Sequence, residues 1–288
     1  MKNFHKKAFS LVELSMVILI IGILIAGVSR GIDLYQDMRL ATARSLTQNS
    51  RVNRIEDLTM WFEATSEKSF ENPNPQDGER IALWKNINFK LFNRIDVAQS
   101  TLASKPFYVR NGINNIPALR FDNAQLLVAS NVKISEIVSS DQATVFMVQN
   151  NFSGDDSTTT FCWNNGDYRF QSHAQEGGRV LIDYGNPGRT STATLTNFLN
   201  QNKIITFVKN DSNVKIKINA EILANSTSSA TIDMSLSADF SIGKYTTDDN
   251  YFFWGYIGEF IVFKRALTDA EINDVEKYLS KKWAIKIN

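Results

Sequence analysis

Side chains able to act as nucleophiles, general bases or zinc ligands are scarce in this chain. It contains one cysteine, Cys162, and two histidines, His5 and His173. A zinc site of three or four His and Cys ligands, all from the mature chain, therefore cannot form. A Cys162–His173 pair or a Ser–His173–Asp arrangement remains formally available, but no nucleophile motif surrounds these residues. We therefore predict a protein that is not an enzyme and has no zinc site.

Carboxylates are plentiful, with 30 Asp and Glu residues. Nothing in the sequence pairs two of them at the separation that glycoside hydrolysis needs. Asp155-Asp156 and Asp248-Asp249 could supply oxygen ligands to Ca²⁺ from loops, although two adjacent Asp are more often a solvated turn. We predict no cofactor, with calcium as the alternative.

One carboxylate has an unusual position. The apolar run from Phe9 to Ser29 has a single charged side chain, Glu13. As a helix this run would be roughly 32 Å long, enough to cross the hydrocarbon core of a bilayer. A charge at mid-bilayer costs on the order of 2.5–3.5 kcal/mol, so Glu13 needs a partner. Lys2, Lys6 and Lys7 precede the run, which predicts a cytoplasmic N-terminus with the rest of the chain outside.

Several kinds of segment combine a basic flank with an apolar run. A secretory leader would end in small residues, as residues 26–29 do, but Glu13 inside the run argues against it. A lipoprotein anchor would need a cysteine directly after the run, whereas Cys162 lies far beyond it. A permanent signal anchor stays open, because the run is long enough for one.

The segment KKAFSLVELSMVILIIGILIAG resembles the leader and first helix of the type IV pilin and pseudopilin superfamily. The resemblance implies that a prepilin peptidase cuts between Ala8 and Phe9 and methylates the new amine of Phe9. Glu13 would then be the fifth residue of the mature chain, pairing with the N-terminal ammonium of a neighbouring subunit as a filament grows. The chain departs from the family at Ala8, where Gly is commoner.

Helical spacing of apolar residues continues beyond the run, at Ile32, Tyr35, Met38 and Leu46. We predict three parts: a leader at 1–8, a helix at 9–54 with a transmembrane span at 9–29, and a head at 58–288. The resemblance to pilins implies that the outer half of the helix packs against the head. A solvated linker is the alternative for that half.

After Leu58 the sequence consists of short runs rich in β-branched and aromatic residues, and Asn, Asp, Gly and Ser separate these runs. The predicted strands are 118–121, 144–148, 159–163, 179–184, 203–208 and 214–218. The turn residues at 210–213 predict a hairpin between the last two. Many short strands with little helix signal favour an antiparallel sandwich.

Three motifs within this region are PALRFD at 117–122, FWGYIGEF at 253–260 and RALTDAEI at 265–272. They resemble the laminin-G-like, concanavalin A-like jelly rolls of bacterial surface proteins, whose closing strand carries a buried acidic residue and precedes a short helix. Thr268 and Glu271 have capping-box spacing, which predicts the start of this helix. We predict a solvated helix end at Lys281, Lys282 and Lys286. We thus predict an α+β chain: a long N-terminal helix, an antiparallel β-sandwich and a short C-terminal helix.

Aromatic residues beside amide-rich loops are the candidates for ligand binding. Trp163 and Tyr184 stand near the loops at 164–167 and 185–188, and sandwich lectins stack sugars on such rings. The alternative is that these rings fill the core. We predict Trp163 and Tyr184 as glycan-binding residues.

These features together suggest a function. The resemblances imply a minor pilin-like subunit of a type IV pilus or related filament, held in the bacterial inner membrane by a single span, with a periplasmic head that reaches the cell surface on assembly. Its partners would be a prepilin peptidase, other pilin subunits and a glycan or protein ligand. The alternatives are a type II secretion pseudopilin whose head contacts secreted substrate and, more remotely, an anchored glycan-processing enzyme. A formal charge of +1 gives no sign of nucleic-acid binding.

Overall fold

The computed structural model describes residues 11–153, 158–166, 168–175, 179–186, 188–245 and 251–288, with the backbone alone at 173–175. Helix α1 spans Leu11–Asn49 and is followed by a short 3-10 turn, Val52–Arg54. Within the described ranges, α1 is a helix long and apolar enough to cross a membrane. A second helix, α2, spans Asp269–Trp283.

In the described ranges, sixteen strands lie between the two helices. In chain order they are β1 Leu58–Glu63, β2 Leu83–Trp84, β3 Val97–Ala98, β4 Phe107–Ile113, β5 Ile116–Asp122, β6 Leu127–Lys133, β7 Gln142–Asn151, β8 Thr158–Asn165, β9 Tyr168–Gln175, β10 Arg179–Tyr184, β11 Arg189–Ser191, β12 Asn202–Asn210, β13 Asn213–Ile218, β14 Glu221–Thr227, β15 Ser237–Ile242 and β16 Trp254–Phe263.

The strands form two antiparallel sheets. Sheet A has the order β14-β13-β12-β7-β16-β5-β4, and β1 pairs with the second half of β16. Sheet B has the order β11-β10-β9-β8-β15-β6-β3-β2. The central strand β16 comes late in the chain, so sheet A is completed by residues far from those that begin it. This is the predicted jelly-roll sandwich with a long N-terminal and a short C-terminal helix.

Two apolar layers hold the fold together. The first lies between the sheets and contains the inward residues of both, among them Met147, Phe161 and Phe260. The second lies on the outer face of sheet A, where Phe146 and Ile261 pack beneath α2 and its residue Trp283. Because successive strand residues point to opposite faces, β7 contributes to both layers. The helices therefore close one face of the sandwich.

All six predicted strands are confirmed, each equal to its predicted run or longer, up to twice as long for β7. The predicted hairpin joins β12 to β13, where Asn210 pairs with Asn213. Asp211 in the two-residue turn has a φ of 51°, a left-handed conformation that Asp tolerates better than most residues.

The start of α2 has the predicted capping box. The Thr268 hydroxyl accepts a hydrogen bond from the Glu271 amide, and the Glu271 carboxylate accepts one from the Thr268 amide. Arg265 donates to both oxygens of Glu271, at 2.9 and 2.6 Å. The Arg265 hydrogen bond, followed by those from Thr268, lowers the pKa of Glu271 from 4.5 to about 2.

We expect Glu271→Gln to lower the free energy of unfolding by about 1 kcal/mol at pH 7, the size of a lost cap. Folding depresses this pKa, so the stabilisation is complete above pH 4.5 and disappears as the pH falls toward about 2. Denaturant titrations should show a smaller difference in the free energy of unfolding between wild type and variant at pH 2.5 than at pH 7. Asp269→Asn, the same charge change in the same turn, is the control; an equal effect there would refute the capping role.

Burial of α1 side chains against the head begins later than predicted. Ile32, Tyr35 and Met38 are each more than half exposed, whereas Ala43 and Thr47 are buried. Small residues at these positions let the helix backbone approach the head closely. The expectation that the outer half of the helix packs against the head therefore holds for its last turns, whereas around residues 32–38 the helix contacts the head through the ion pair of Asp37 with Arg110.

Candidate functional site

The predicted assembly residues lie at the start of the chain. Glu13 lies within α1, in a stretch whose apolar side chains from Leu11 to Val28 are exposed. A single molecule leaves this surface to be covered by lipid or by other subunits. The predicted cleavage and methylation positions, Ala8 and Phe9, lie outside the described residues.

A buried ionic cluster joins α2 to the sheet beneath it. Lys282 donates to Glu63 Oε2 at 2.8 Å and to Glu259 Oε2 at 2.9 Å. Glu63 and Glu259 face each other across β1 and β16, and all three side chains have no solvent exposure. The prediction of a solvated Lys282 was wrong, because α2 turns this residue into the sheet while its neighbour Lys281 remains exposed.

Neutral donors complete the cluster around Glu259. Trp61 Nε1 and the Tyr278 hydroxyl donate to its Oε1 at 2.7 and 2.8 Å, and Trp283 Nε1 donates to its Oε2 at 2.8 Å. Burial, followed by the nearby Glu259 charge, raises the pKa of Tyr278 well above 10, so its hydroxyl stays a donor. The same hydroxyl lies 3.2 Å from Thr47 Oγ1, which ties α1 to the cluster.

Arginines of α1 fasten the helix to loops of the head. Arg44 Nε donates to the Thr65 carbonyl at 2.8 Å, and its Nη1 pairs with Glu67 at 2.7 Å. Arg39 donates to the Asn114 carbonyl at 3.0 Å. A cavity of about 240 Å³ remains beside Arg44, between the helix and the loops. The helix is thus held by directional bonds to several elements, which fixes its orientation on the head.

The two aromatic residues predicted to bind glycans lie in the core. Trp163 and Tyr184 are 0% and 1% exposed and belong to the layer between the sheets. Trp163 Nε1 donates to the Val132 carbonyl at 2.9 Å, and the Tyr184 hydroxyl donates to the Ser139 and Gln142 carbonyls. A ring without an exposed face cannot stack on a sugar, so this prediction was wrong.

The opposite face of the same strands is polar. Five residues on five successive strands of sheet B pair side by side. Because side chains alternate along a strand, all five face the outer side of the sheet. In strand order they are Ser241, Cys162, Gln171, Asp183 and Arg189. Cys162 Sγ donates to Gln171 at 3.2 Å, Gln171 donates to Asp183 at 2.6 Å, and Arg189 holds both oxygens of Asp183 at 2.8 and 3.0 Å. We call these five residues the polar row.

The calcium alternative rested on Asp155-Asp156 and Asp248-Asp249, which lie outside the described residues. Among the residues that the structure does describe, no group of three or more His, Cys, Asp or Glu is placed to hold a metal ion. His173 lies in β9, opposite Leu181 of β10.

Comparison with known families identifies the head. The profile described as the concanavalin A-like lectin/glucanases superfamily matches residues 114–273, more than half of the chain. The chain belongs to this concanavalin A-like superfamily. The match runs from the turn between β4 and β5 into α2. The predicted laminin-G-like, concanavalin A-like jelly roll is therefore confirmed.

The anchor of this concanavalin A-like protein has its own match. The profile of the prokaryotic N-terminal methylation motif covers residues 3–29, which confirms the predicted pilin-type signal. The motif implies processing by a prepilin peptidase and assembly with other pilins. A search among curated proteins found no match.

Solved structures share the fold at low identity. Domain 4 of AbnA, an extracellular arabinanase from Geobacillus stearothermophilus, solved in complex with arabinotriose, is 19% identical with a TM-score of 0.52; the alignment covers 76% of this chain and 98% of that domain. Trypanosoma rangeli sialidase with the inhibitor DANA is 11% identical with a TM-score of 0.52, and the alignment covers 76% of this chain and 32% of the sialidase. The chain thus spans about a third of the sialidase, and these likenesses show the fold alone.

Proposed function

We propose that this chain is a minor pilin-like subunit of a type IV pilus or related filament whose concanavalin A-like head recognises a glycan or a protein. The observation that carries the proposal is the joining of a methylation motif at residues 3–29 to a lectin-superfamily head. The motif supplies the means of assembly, and the head supplies a large surface. We propose a cytoplasmic N-terminus and a periplasmic head before assembly, because the basic residues precede the span.

The bulk of the head favours a rare or terminal position in the filament. Two eight-stranded sheets and a helix form a wide body next to an anchor that must stack against its neighbours. A subunit at the tip or at low abundance avoids that crowding. Membership of a type II secretion pseudopilus is the alternative, in which the same head would contact secreted substrate.

We propose a binding role rather than catalysis. Glu63 and Glu259 are adjacent carboxylates, but Lys282 binds both and α2 covers them. Glycoside hydrolysis needs two carboxylates that flank a bound sugar, and a sugar has no access to this pair. Hydrolysis of an offered glycan would contradict the binding role.

The processing step gives the first test of this function. Mass spectrometry of the mature protein should find N-methyl-Phe9 at its N-terminus. Ala8→Gly should leave cleavage unchanged or improve it, and a bulky residue such as Ala8→Leu should block it. A mature chain that begins at residue 1, or near residue 29, would contradict the assignment to pilins.

A further inference from the structure

We propose that the outer face of sheet B around Asn164, Arg169 and Tyr245 is a glycan-binding site. The inference rests on the proposed recognition role of the head and assigns that role to particular residues. Since α1 and α2 cover the outer face of sheet A, the outer face of sheet B lies on the side away from the anchor. A subunit held in a filament by α1 would keep this face available.

Asn164 supplies an amide with an unused acceptor. Its Nδ2 donates to the Tyr245 hydroxyl at 2.6 Å. Its Oδ1 is buried and has no hydrogen-bond partner in the part of the chain that the structure describes. A buried acceptor without a partner is unfavourable, so a ligand hydroxyl that reached it would form a bond without breaking another.

Arg169 supplies a cation beside that amide. It pairs with Asn164 across β8 and β9, and its side chain is 41% exposed. Its approach to Asp183 is long, at 4.0 Å, whereas Arg189 holds the same carboxylate at 2.8 and 3.0 Å. The guanidinium of Arg169 therefore has donors available for a ligand, and five such donors in a fixed plane suit hydroxyl or carboxylate oxygens.

Tyr245 supplies the aromatic surface. Its ring is half-buried and packs edge to face on Tyr251, with 5.6 Å between the ring centres. Sugars present C–H faces that pack on aromatic rings and hydroxyl groups that bond to amides and guanidinium groups. Asn164, Arg169 and Tyr245 bring these three kinds of group together. The polar row lies beside them on the same face, and its cross-strand bonds hold the strands in register.

Binding of the full-length protein in detergent to a glycan array tests the site, with neutral and acidic glycans as separate arms. We expect wild type to bind a subset of the glycans and Arg169→Ala and Tyr245→Ala each to weaken that binding by about tenfold, the first through loss of a charge-assisted hydrogen bond and the second through loss of an aromatic contact. Tyr245→Phe and Arg169→Gln, which disturb packing less, should show smaller losses in the same direction. Arg94→Ala and Phe92→Ala are the matched controls, because both side chains are exposed on the loop between β2 and β3; we expect these variants to bind within about twofold of wild type.

Two results would overturn the inference: a blank array, or wild-type binding by both the Arg169 and Tyr245 variants. Each variant is also measured for thermal unfolding and for incorporation into filaments. Normal incorporation with lost binding supports the site. Glycan binding by a chain that never enters filaments would contradict the proposed function and leave the site standing.

Discussion

Glu13→Ala should separate membrane insertion from filament assembly. We expect the variant to reach the membrane at wild-type levels or above, because the change removes a charge from the apolar part of α1. We expect its incorporation into filaments to fall by about a hundredfold or more. Loss of one partner from a buried ion pair costs about 3–5 kcal/mol, and the proposed partner is the N-terminal ammonium of a neighbouring subunit.

The measurement is co-purification with sheared filaments, normalised to the membrane pool. Glu13→Gln keeps the shape and the hydrogen-bonding capacity without the charge. Its incorporation into filaments should be almost as low as that of Glu13→Ala if electrostatic attraction dominates. It should be close to the wild-type level if packing dominates. Leu14→Ala removes an adjacent exposed side chain and serves as the control. Equal incorporation of Glu13→Ala and wild type would refute the proposed role.

Lys282→Met should have the largest effect on the stability of the head. It removes the only cation that the structure places between Glu63 and Glu259 in the described part of the chain, and leaves two carboxylates buried in low dielectric. We expect the free energy of unfolding to fall by about 3–5 kcal/mol. Denaturant unfolding of the full-length protein, followed by tryptophan fluorescence, measures the change, since Trp61 and Trp283 both donate to Glu259.

Lys281→Met is the matched control, because Lys281 is the exposed neighbour in the same helix. We expect its free energy of unfolding to lie within about 0.5 kcal/mol of the wild-type value. Adding Glu63→Gln to Lys282→Met should restore part of the loss, since a neutral amide oxygen can still accept from the Thr65 amide and hydroxyl. Equal stability of the two lysine variants would show that the cluster contributes little.

The sandwich could be predicted because the residues that define each strand are close together in the sequence. The run VKIKI at 214–218 alternates apolar and basic residues, and β13 alternates buried and half-buried side chains accordingly. The cap of α2 depends on two residues three apart, Thr268 and Glu271. Patterns of this kind can be recognised without knowing which distant residues each segment contacts.

The ionic cluster could not be predicted for the opposite reason. Lys282 lies 219 positions from Glu63 and 23 positions from Glu259, and a lysine in the last turn of a helix ordinarily faces water. In the sequence, Ile272, Val275 and Leu279 are spaced as one apolar face of a helix, and nothing in that spacing indicates that a charged residue such as Lys282 is also buried. In retrospect, Trp283 beside Lys282 was the available signal, since a tryptophan rarely ends a solvated helix.

One residue of the proposed site, Asn164, is the immediate neighbour of the predicted Trp163 on β8. Composition does not say which face of a strand looks inward, and it gave no signal for Arg169 or Tyr245. Once Trp163 is known to be buried, alternation places Asn164 outside. The candidate face therefore follows from the structure and a period of two, not from the aromatic residues that first drew attention to the region.

The late position of β16 affects how the head is made. Trp61 of β1 meets Glu259 of β16 across 198 positions of sequence, and β16 also separates β7 from β5. At about 5–20 residues per second, a ribosome needs on the order of ten seconds or more to produce the intervening chain. During that time β1, β5 and β7 lack their shared neighbour and leave strand edges open to other chains. The unfinished head should therefore need a factor that shields these strand edges until β16 has been made.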